Sequence, residues 1–522
     1  MVETSITHGP IGGLVVIPRT PQKIKNNNYY RYSGICSDVR FGAHSNTLQN
    51  LQRAVAERVL KVPDGSGGLK DCPRPRSKRY FSRMMHPFYK LINCAVRNDS
   101  SFPIPPLSDE QFVSLYSGAK KERYRLACES LFRESVTPKD AHVGSFVKVE
   151  KINMTAKTDP CPRVIQPRSY RYGAALGKYI KHLEKPLFSL IDSIFGGPTV
   201  LKGYDCIKSG QYLRDMWDEF TNPVGIGMDA SRFDQHCSKA ALKWEHSVWK
   251  RLSTSNKQLG WLLNLQLENH GKAWLTDGFI KYSTQGCRMS GDMNTSSGNC
   301  LLMCAMVYTY CKQHHIQKFR LANNGDDCML FIEKDCLPLV SEERVGKWFS
   351  SLGYTMKVED PVYDFEKISF CQTQPCWDGV GWRMVRDPRV AIAKDLTCTL
   401  DLSNSRTKSL WLNAMHHGGR ALTTGIPVYP EFYKIYPTSE IKMGVRETTL
   451  DDFHSSGFSR MIPQIKGDRV ITPEARYSFW VAFGILPDTQ ELLEERFQHM
   501  NLALCESVDV QDYCELSILQ EN

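Results

Sequence analysis

Residues 322–333 read ANNGDDCMLFIE, two acids side by side ahead of an apolar run. Residues 328–333 have the composition of a strand, as do residues 318–321 before them. Asn324-Gly325 is a hairpin-turn dipeptide, because both residues tolerate positive φ. The pattern predicts two strands joined by ANNGDD, with Asp326 and Asp327 at the tip. Adjacent carboxylates repel one another unless something positive lies beside them. Alone, the Gly-Asp-Asp triplet decides nothing, since a turn-capping or solvated carboxylate is an ordinary use of Asp in a loop.

Upstream, residues 222–252 read NPVGIGMDASRFDQHCSKAALKWEHSVWKRL. VGIGM is a short apolar strand containing glycine. After Phe233 the pattern turns helical, with Ala241, Trp244, Val248 and Leu252 three or four residues apart. Asp229 therefore ends a strand, and Asp234 lies in the turn before a helix. Residues 283–311, STQGCRMSGDMNTSSGNCLLMCAMVYTYC, begin as a polar loop and become an apolar helix. Thr295 and Asn299 share one face of that helix, and Ser290 sits in the loop before it.

Two segments interleave cations with aromatics. Residues 74–90 read RPRSKRYFSRMMHPFYK, and residues 144–172 read GSFVKVEKINMTAKTDPCPRVIQPRSYRY. The second is expected to form a hairpin from which Lys148, Lys151, Arg163 and Arg168 project. Either segment is a solvated surface or a grip for phosphates and bases. The formal net charge of +10 over 522 residues is clustered in this way, which favours a polyanionic partner.

With 41% hydrophobic and 23% charged residues, the chain is globular, long enough for several lobes, and not disordered. The 18 cysteines form no CxxC pair, and no secretory signal precedes them, which points to a reducing compartment. Cys300, Cys304 and Cys311, with His314 and His315 beyond, allow a zinc site or, alternatively, small buried hydrophobes in a helix. No apolar run reaches the ~18 residues that span a bilayer, so no transmembrane segment is expected. Residues 476–497, RYSFWVAFGILPDTQELLEERF, are the clearest amphipathic stretch near the C-terminus.

An acid at a strand end, a Ser-Gly…Thr…Asn loop-helix and a paired-acid hairpin, preceded by basic hairpins, form an ordered set. Phosphoryl transfer from a nucleoside triphosphate uses such parts. Two divalent ions ~3.5–4 Å apart need hard oxygen ligands, cations must neutralise the triphosphate, and polar groups must test the sugar.

MDASRFD, SGDMNTSSGN and NNGDD resemble motifs A, B and C of the RNA-dependent RNA polymerases of positive-strand RNA viruses. LGYTMKVEDPVYDFEKISFCQTQP and DPCPRVIQPRSYRY resemble motifs D–E and F, so the six motifs cover roughly residues 145–376. The wording is most similar to tombusvirus-like replicases of the carmovirus, dianthovirus and luteovirus type. Hepacivirus and pestivirus polymerases are more distantly similar.

The resemblance implies a mixed α+β chain in the right-hand polymerase fold, with fingers, an antiparallel palm sheet and a helical thumb, in an encircled closed-hand form. The implied domains are an N-terminal extension with fingertips at 1–90, fingers at 91–200 and 246–285, palm at 201–245 and 286–375, and thumb at 376–522. It implies that Asp229 and Asp326 are the main ligands of two Mg²⁺ or Mn²⁺ ions, with Asp327 assisting. Asp234, Ser290 and Asn299, with Thr295 close by, would recognise the ribose 2′-hydroxyl. Arg163 would lie over the incoming triphosphate, with Lys148, Lys151 and Arg168 lining the same tunnel. Lys357 would be the general acid for the leaving pyrophosphate, Lys347 its rival, and residues 368–372 the motif E turn.

The implied activity is RNA-directed RNA synthesis replicating a viral genome, with template RNA, nascent RNA and NTPs as partners. Relatives often make the polymerase by readthrough or frameshift. The chain is therefore expected to be the polymerase portion of such a product, recruited in the host cytoplasm to membrane-associated replication complexes by a membrane-anchored auxiliary protein. A reverse transcriptase shares the palm chemistry but not the need for a 2′-hydroxyl sensor. A non-catalytic RNA-binding replication scaffold would leave Asp229, Asp326 and Asp327 unexplained.

Overall fold

The Asp326 hairpin forms one edge of a four-stranded antiparallel sheet, in the order Phe319–Asn324, Asp327–Glu333, Pro223–Ala230, Met356–Val358. The computed structural model describes residues 1–20, 28–33, 35, 37–438, 468–500 and 502–505. Alternate residues of the sheet feed two cores, as the period of two requires. Val224, Ile226, Met228, Cys328, Leu330 and Ile332 join the largest core, with the helices Thr295–Gln313, Lys239–Leu252 and Glu184–Phe195. Met329 and Phe331 face the other way, onto the helix Cys206–Asp218 and onto Phe365, Ile368 and Phe370. Thr295–Gln313 is buried nearly all round, which explains an apolar run too short for a membrane. Among the described residues no helix is long and apolar enough to cross one.

The hairpin differs from its expected form by one residue. Asn324 pairs with Asp327 in the ladder, so the turn is Gly325-Asp326, with Gly325 at φ +88°. Glycine at the first central position is the requirement of a type II′ turn, the hand that suits a twisted ladder. Only Asp326 stands in the turn. Asp327 is the first residue of a strand.

A second sheet has the order Leu14–Pro18, Gly278–Gln285, Glu268–Leu275, Val143–Gly144, with the helix Leu48–Val55 against its inner face. Its first strand comes from the N-terminus and its middle pair from the segment between Asp234 and Ser290. Further along, Tyr30–Ser33 lies between Thr397–Cys398 and Ala503–Cys505 as the centre of a three-stranded sheet. Tyr32 is buried there and stacks on Trp411, with ring centroids 5.5 Å apart. One N-terminal segment thus ties the second sheet to the helical C-terminal unit. The amphipathic stretch near the C-terminus is two helices, Pro473–Phe483 and Pro487–Gln498. Gly484 caps the first at φ +71°, and Pro487 starts the second.

Candidate active site

Asp229 pairs directly with Asp327 on one neighbouring strand and with Lys357 on the other. Residues opposite one another in an antiparallel ladder share a face, with Cβ atoms ~4.5–5.5 Å apart. Asp327, Asp229 and Lys357 therefore form one row across the sheet, and Asp326 stands in the turn beside it. Asp229, Asp326 and Lys357 are exposed, and Asp327 is half-buried. Among the described residues neither Asp229 nor Asp326 has an ion pair or a side-chain hydrogen bond to another residue. Crowding by protein raises the Asp326 carboxyl above its ordinary value, and Asp229 adds to this while Arg163 and Lys202 oppose it. Asp327 is pushed up to about 6, by burial first and then by Asp326 and Asp229.

Asp327 differs from the other two because its Oδ2 accepts the Cys371 N–H at 2.9 Å. Cys371 and Gln372 are the centre of a turn in which Phe370 and Thr373 exchange backbone hydrogen bonds of 2.9 and 3.0 Å. Both central residues have positive φ, +53° and +61°, without being glycine. Such conformations cost about 1–3 kcal/mol each and persist only where the surroundings hold them. The Asp327 carboxylate is one such support, so the expected motif E turn is anchored to the acid hairpin.

Behind the acids runs a polar relay. Asn299 Nδ2 donates to Asp234 Oδ1 at 2.7 Å, and Arg288 Nε donates to Asn299 Oδ1 at 3.2 Å. Arg288 in turn is ion-paired with Glu245, both side chains being wholly buried. Glu245 Oε1 also accepts from Trp249 Nε1 and Asn294 Nδ2, each at 2.8 Å. Gly298 lets the helix pass this pair, since a Cβ there would lie 2.3 Å from Glu245 Oε1. Burial pushes Asp234 up to about 6, opposed by Asn299 and Arg288. Asp234 and Asn299 form the expected pair. Ser290 does not join them: its Oγ donates to the Val164 carbonyl at 3.2 Å and accepts the Gln166 N–H at 3.0 Å. Thr295 Oγ1 donates to the Met289 carbonyl at 2.7 Å. Asp234→Ala or Asn299→Ala is expected to weaken NTP-over-dNTP discrimination by about 10–100-fold. Single-nucleotide incorporation with paired NTP and dNTP checks this, and unchanged selectivity refutes it.

His246, on the same helix as Glu245, is buried, and desolvation holds its imidazole down to about 4. Unfolded, it titrates near ~6.5. As pH falls from about 6.5 toward 4, the unfolded state takes up a proton that the folded state refuses, so stability is lost by up to about 3 kcal/mol. Asp234 and Asp327, with raised values, act in the opposite sense over part of this window. The expected result is therefore comparative. His246→Gln melts with a shallower loss between pH 6.5 and 4 than the parent by differential scanning fluorimetry.

The cations divide. Glu150 Oε2 bridges Lys148 at 2.7 Å and Arg163 at 3.2 Å, with Arg163 more than half exposed. Arg163 is the cation whose field reaches both Asp326 and Asp234. The charge of Lys151 acts instead on Asp395 and Lys394 of the C-terminal unit. Arg168 departs from expectation. Its side chain is only 3% exposed, ion-paired with Asp292, and bonded to Asn269 Oδ1 at 2.6 Å and the Ala141 carbonyl at 2.5 Å. A guanidinium so committed, buried and with four of its five N–H groups engaged, holds the loop before Thr295 rather than projecting toward a phosphate. Lys347 lies exposed on the helix Glu342–Ser351.

Lys202 was not foreseen. Leu201 N–H donates to the Asn323 carbonyl at 2.9 Å, which sets the neighbouring Lys202 beside the hairpin, where its charge acts on Asp326 and Cys371. The cysteines read as a possible zinc set, Cys300, Cys304 and Cys311, belong to the main core. Burial drives their thiols upward, as for small hydrophobes packed in a core.

Among the described residues no three His, Cys, Asp or Glu side chains converge as a finished metal cage does. The donor set nonetheless suits hard divalent cations. Three carboxylates crowd one edge, and two have no partner to relieve their repulsion.

Mixed helices and strands around an antiparallel sheet that carries the acid cluster fit the α+β class of polymerases. The chain belongs to the viral RNA-dependent RNA polymerase family, whose profile, described as "Viral RNA dependent RNA polymerase", matches residues 14–504. It is 44% identical over 485 residues to the RNA-directed RNA polymerase of Cucumber necrosis virus, covering 93% of this chain and 57% of that protein. Identity to the RNA-directed RNA polymerase of Tomato bushy stunt virus (strain Cherry) is 43%, with the same coverage. Identity to that of Tobacco necrosis virus (strain A) is 42% over 516 residues, 98% of this chain and 69% of the relative. The chain thus spans little more than half the length of the first two relatives.

Proposed function

We propose that this chain carries RNA-directed RNA synthesis for a positive-strand RNA virus of the tombusvirus-like group. The observation that carries the reading is the row Asp327–Asp229 on the two central strands, with Asp326 in the adjoining turn near enough to the Asp234–Asn299 pair for its charge to act on Asp234. Asp229 and Asp326 would hold two Mg²⁺ or Mn²⁺ ions, with Asp327 contributing its oxygen that is not bonded to Cys371. Bound there, the ions would lower the pKa of an RNA 3′-hydroxyl and neutralise the departing pyrophosphate.

The chain's own residues do the rest. Arg163 and Lys148 would exchange Glu150 for the triphosphate, a stronger anion with several acceptors. Asp234 and Asn299 would bind the ribose 2′-hydroxyl, and a deoxyribonucleotide would leave the half-buried carboxylate and the buried amide short of a partner. Ser290 would join them if its hydroxyl turned from the Val164 carbonyl. The pairing of Lys357 with Asp229 supports Lys357 as proton donor to the pyrophosphate as the 3′-oxygen bonds to the α-phosphorus. The closed right-hand form is supported by the N-terminal segment, which pairs with Gly278–Gln285, where fingers are expected, and with Thr397–Cys398 and Ala503–Cys505, where the thumb is expected. Template RNA, nascent RNA and NTPs would be its partners, with a membrane-anchored auxiliary protein recruiting it to replication complexes in the host cytoplasm.

The test is primer extension on an RNA template with Mg²⁺ or Mn²⁺. Template-dependent product supports the reading, and RNA binding without product, under both ions, overturns it in favour of a scaffold.

A further inference from the structure

The second sheet buries one face on the helix Leu48–Val55 and leaves the other open. Across that open face Ile17, Phe279 and Trp274 stand in one row, and Val15, Lys281 and Lys272 in the next. Trp274 is 65% exposed, lies against Phe279 with centroids 4.1 Å apart, and carries the Arg19 guanidinium 5.2 Å above its ring. Beyond Lys272 the strand continues to His270, beside His142, with ring centroids 5.6 Å apart. These two open into a cavity of about 520 Å³ whose lining includes Lys239 and Lys243.

Two features set this face apart from an ordinary solvated surface. Lys272 and Lys281 pair directly opposite one another, an arrangement that destabilises a ladder. They lie on the two inner strands, so they are not charges placed to guard a sheet edge. Among the described residues neither has an ion pair. The nearby acids are engaged, Glu268 with Lys239 and Asp277 with the Leu48 N–H. Burial holds the His142 imidazole below its ordinary value, and His270, Lys272, Lys139 and Arg168 press it further, a measure of how much positive charge gathers here.

We infer that this face, from Trp274 and Arg19 past Lys272 and Lys281 to the His142–His270 cavity, is a binding platform for single-stranded RNA, distinct from the site formed by Asp229, Asp326 and Asp327. Exposed aromatics offer stacking surfaces to bases of any sequence, and cations at neighbouring positions take the phosphates between them. Roughly 13 Å of strand separates Trp274 from His270 at about 3.3 Å per residue, enough for a short run of nucleotides. A protein partner fits less well, because the centres of protein interfaces are depleted in lysine. The inference requires only that the chain meets RNA. It does not depend on the acid cluster being catalytic.

The test compares the parent protein with Lys272→Gln/Lys281→Gln and with Trp274→Ala. Binding of a labelled single-stranded RNA is measured by anisotropy over a salt series, without NTP or divalent metal, so failure of the polymerase reading leaves this result untouched. The double variant is expected to bind at least about 5-fold more weakly and to lower the salt slope by about 1.4, two phosphates at ~0.7 each. Trp274→Ala is expected to lose about 5–100-fold in the affinity of this site. Photo-crosslinking with thiouridine-substituted RNA separates the platform from the acid cluster: adducts are expected on residues 268–285 and are lost in the double variant. The double variant should melt no lower than the parent, since a repulsion has been removed, so lost binding is not lost folding. Unchanged affinity and slope, or adducts confined to the segments around Asp229, Asp326 and Asp327, overturn the inference. A face serving a protein would give that result.

Discussion

Asp326→Ala is expected to lower RNA synthesis by at least about 10³-fold while leaving the melting temperature near that of the parent. The side chain stands in a turn, is exposed, and makes no ion pair and no hydrogen bond to another residue among the described residues, so its removal breaks no contact between elements. It also relieves a repulsion, since Asp229 and crowding raise the Asp326 carboxyl. Loss of a ligand to ions that stabilise transition-state charge removes several kcal/mol, and ~4 kcal/mol is about 10³ in rate. Asp327→Asn should act differently. Its Oδ2 is held by the Cys371 N–H, and asparagine keeps an acceptor there, so a smaller loss, about 10–100-fold, is expected. The measurement is single-nucleotide extension over a Mg²⁺ series. The expected order is Asp326→Ala worse than Asp327→Asn, with the residual activity of each needing more metal. Product at the parent level from Asp326→Ala would sink the metal-ligand assignment.

What could be read from the sequence was local. Strand periodicity and the Asn-Gly signal found the hairpin, and the helical spacing after Phe233 found the element carrying Trp244 and Val248. The turn slipped by one residue because ladder pairing of Asn324 with Asp327 outweighed the dipeptide preference, and this separates the roles of the two acids. Register is a long-range property. Nothing in the wording of the sequence states that Asp229 lies between Asp327 and Lys357, or that residues 14–18 pair with 278–282. The same limit explains the cations. Arg163 and Arg168 look alike along the chain, yet one is exposed beside Glu150 and the other is buried on Asp292. Lys202 belongs to none of the recognised motifs, and only the bridge from Val200 to Asn323 brings its segment to the hairpin. Glu245 did leave a trace, a carboxylate within the apolar repeat of a helix, but a solvated face explains such a residue equally well until its partner is known.

That partner, Arg288, carries the second large effect. Arg288→Met is expected to destabilise the protein by about 3–5 kcal/mol, seen as a clear drop in melting temperature, because it leaves the Glu245 carboxylate buried without its cation. Trp249 and Asn294 still donate to Glu245, but two neutral donors do not replace a guanidinium. Glu245→Gln alone should also destabilise, since it strands the arginine charge. The double variant, Glu245→Gln with Arg288→Met, should recover most of the loss, because no buried charge is left and glutamine keeps an acceptor for Trp249 and Asn294. It also removes Arg288 Nη1, a buried donor with no acceptor among the described residues. Stability and selectivity should then separate. Asn299 Oδ1 loses its donor in both variants carrying Arg288→Met, so the amide that presents Nδ2 to Asp234 is free to turn. The double variant is expected to melt near the parent while still confusing NTP with dNTP, whereas Glu245→Gln keeps the discrimination and loses stability. Recovery of both properties together in the double variant would show that the pair serves folding alone. If instead only melting recovers, Arg288 is the residue that holds Asn299, and through it Asp234, in position to sense the sugar.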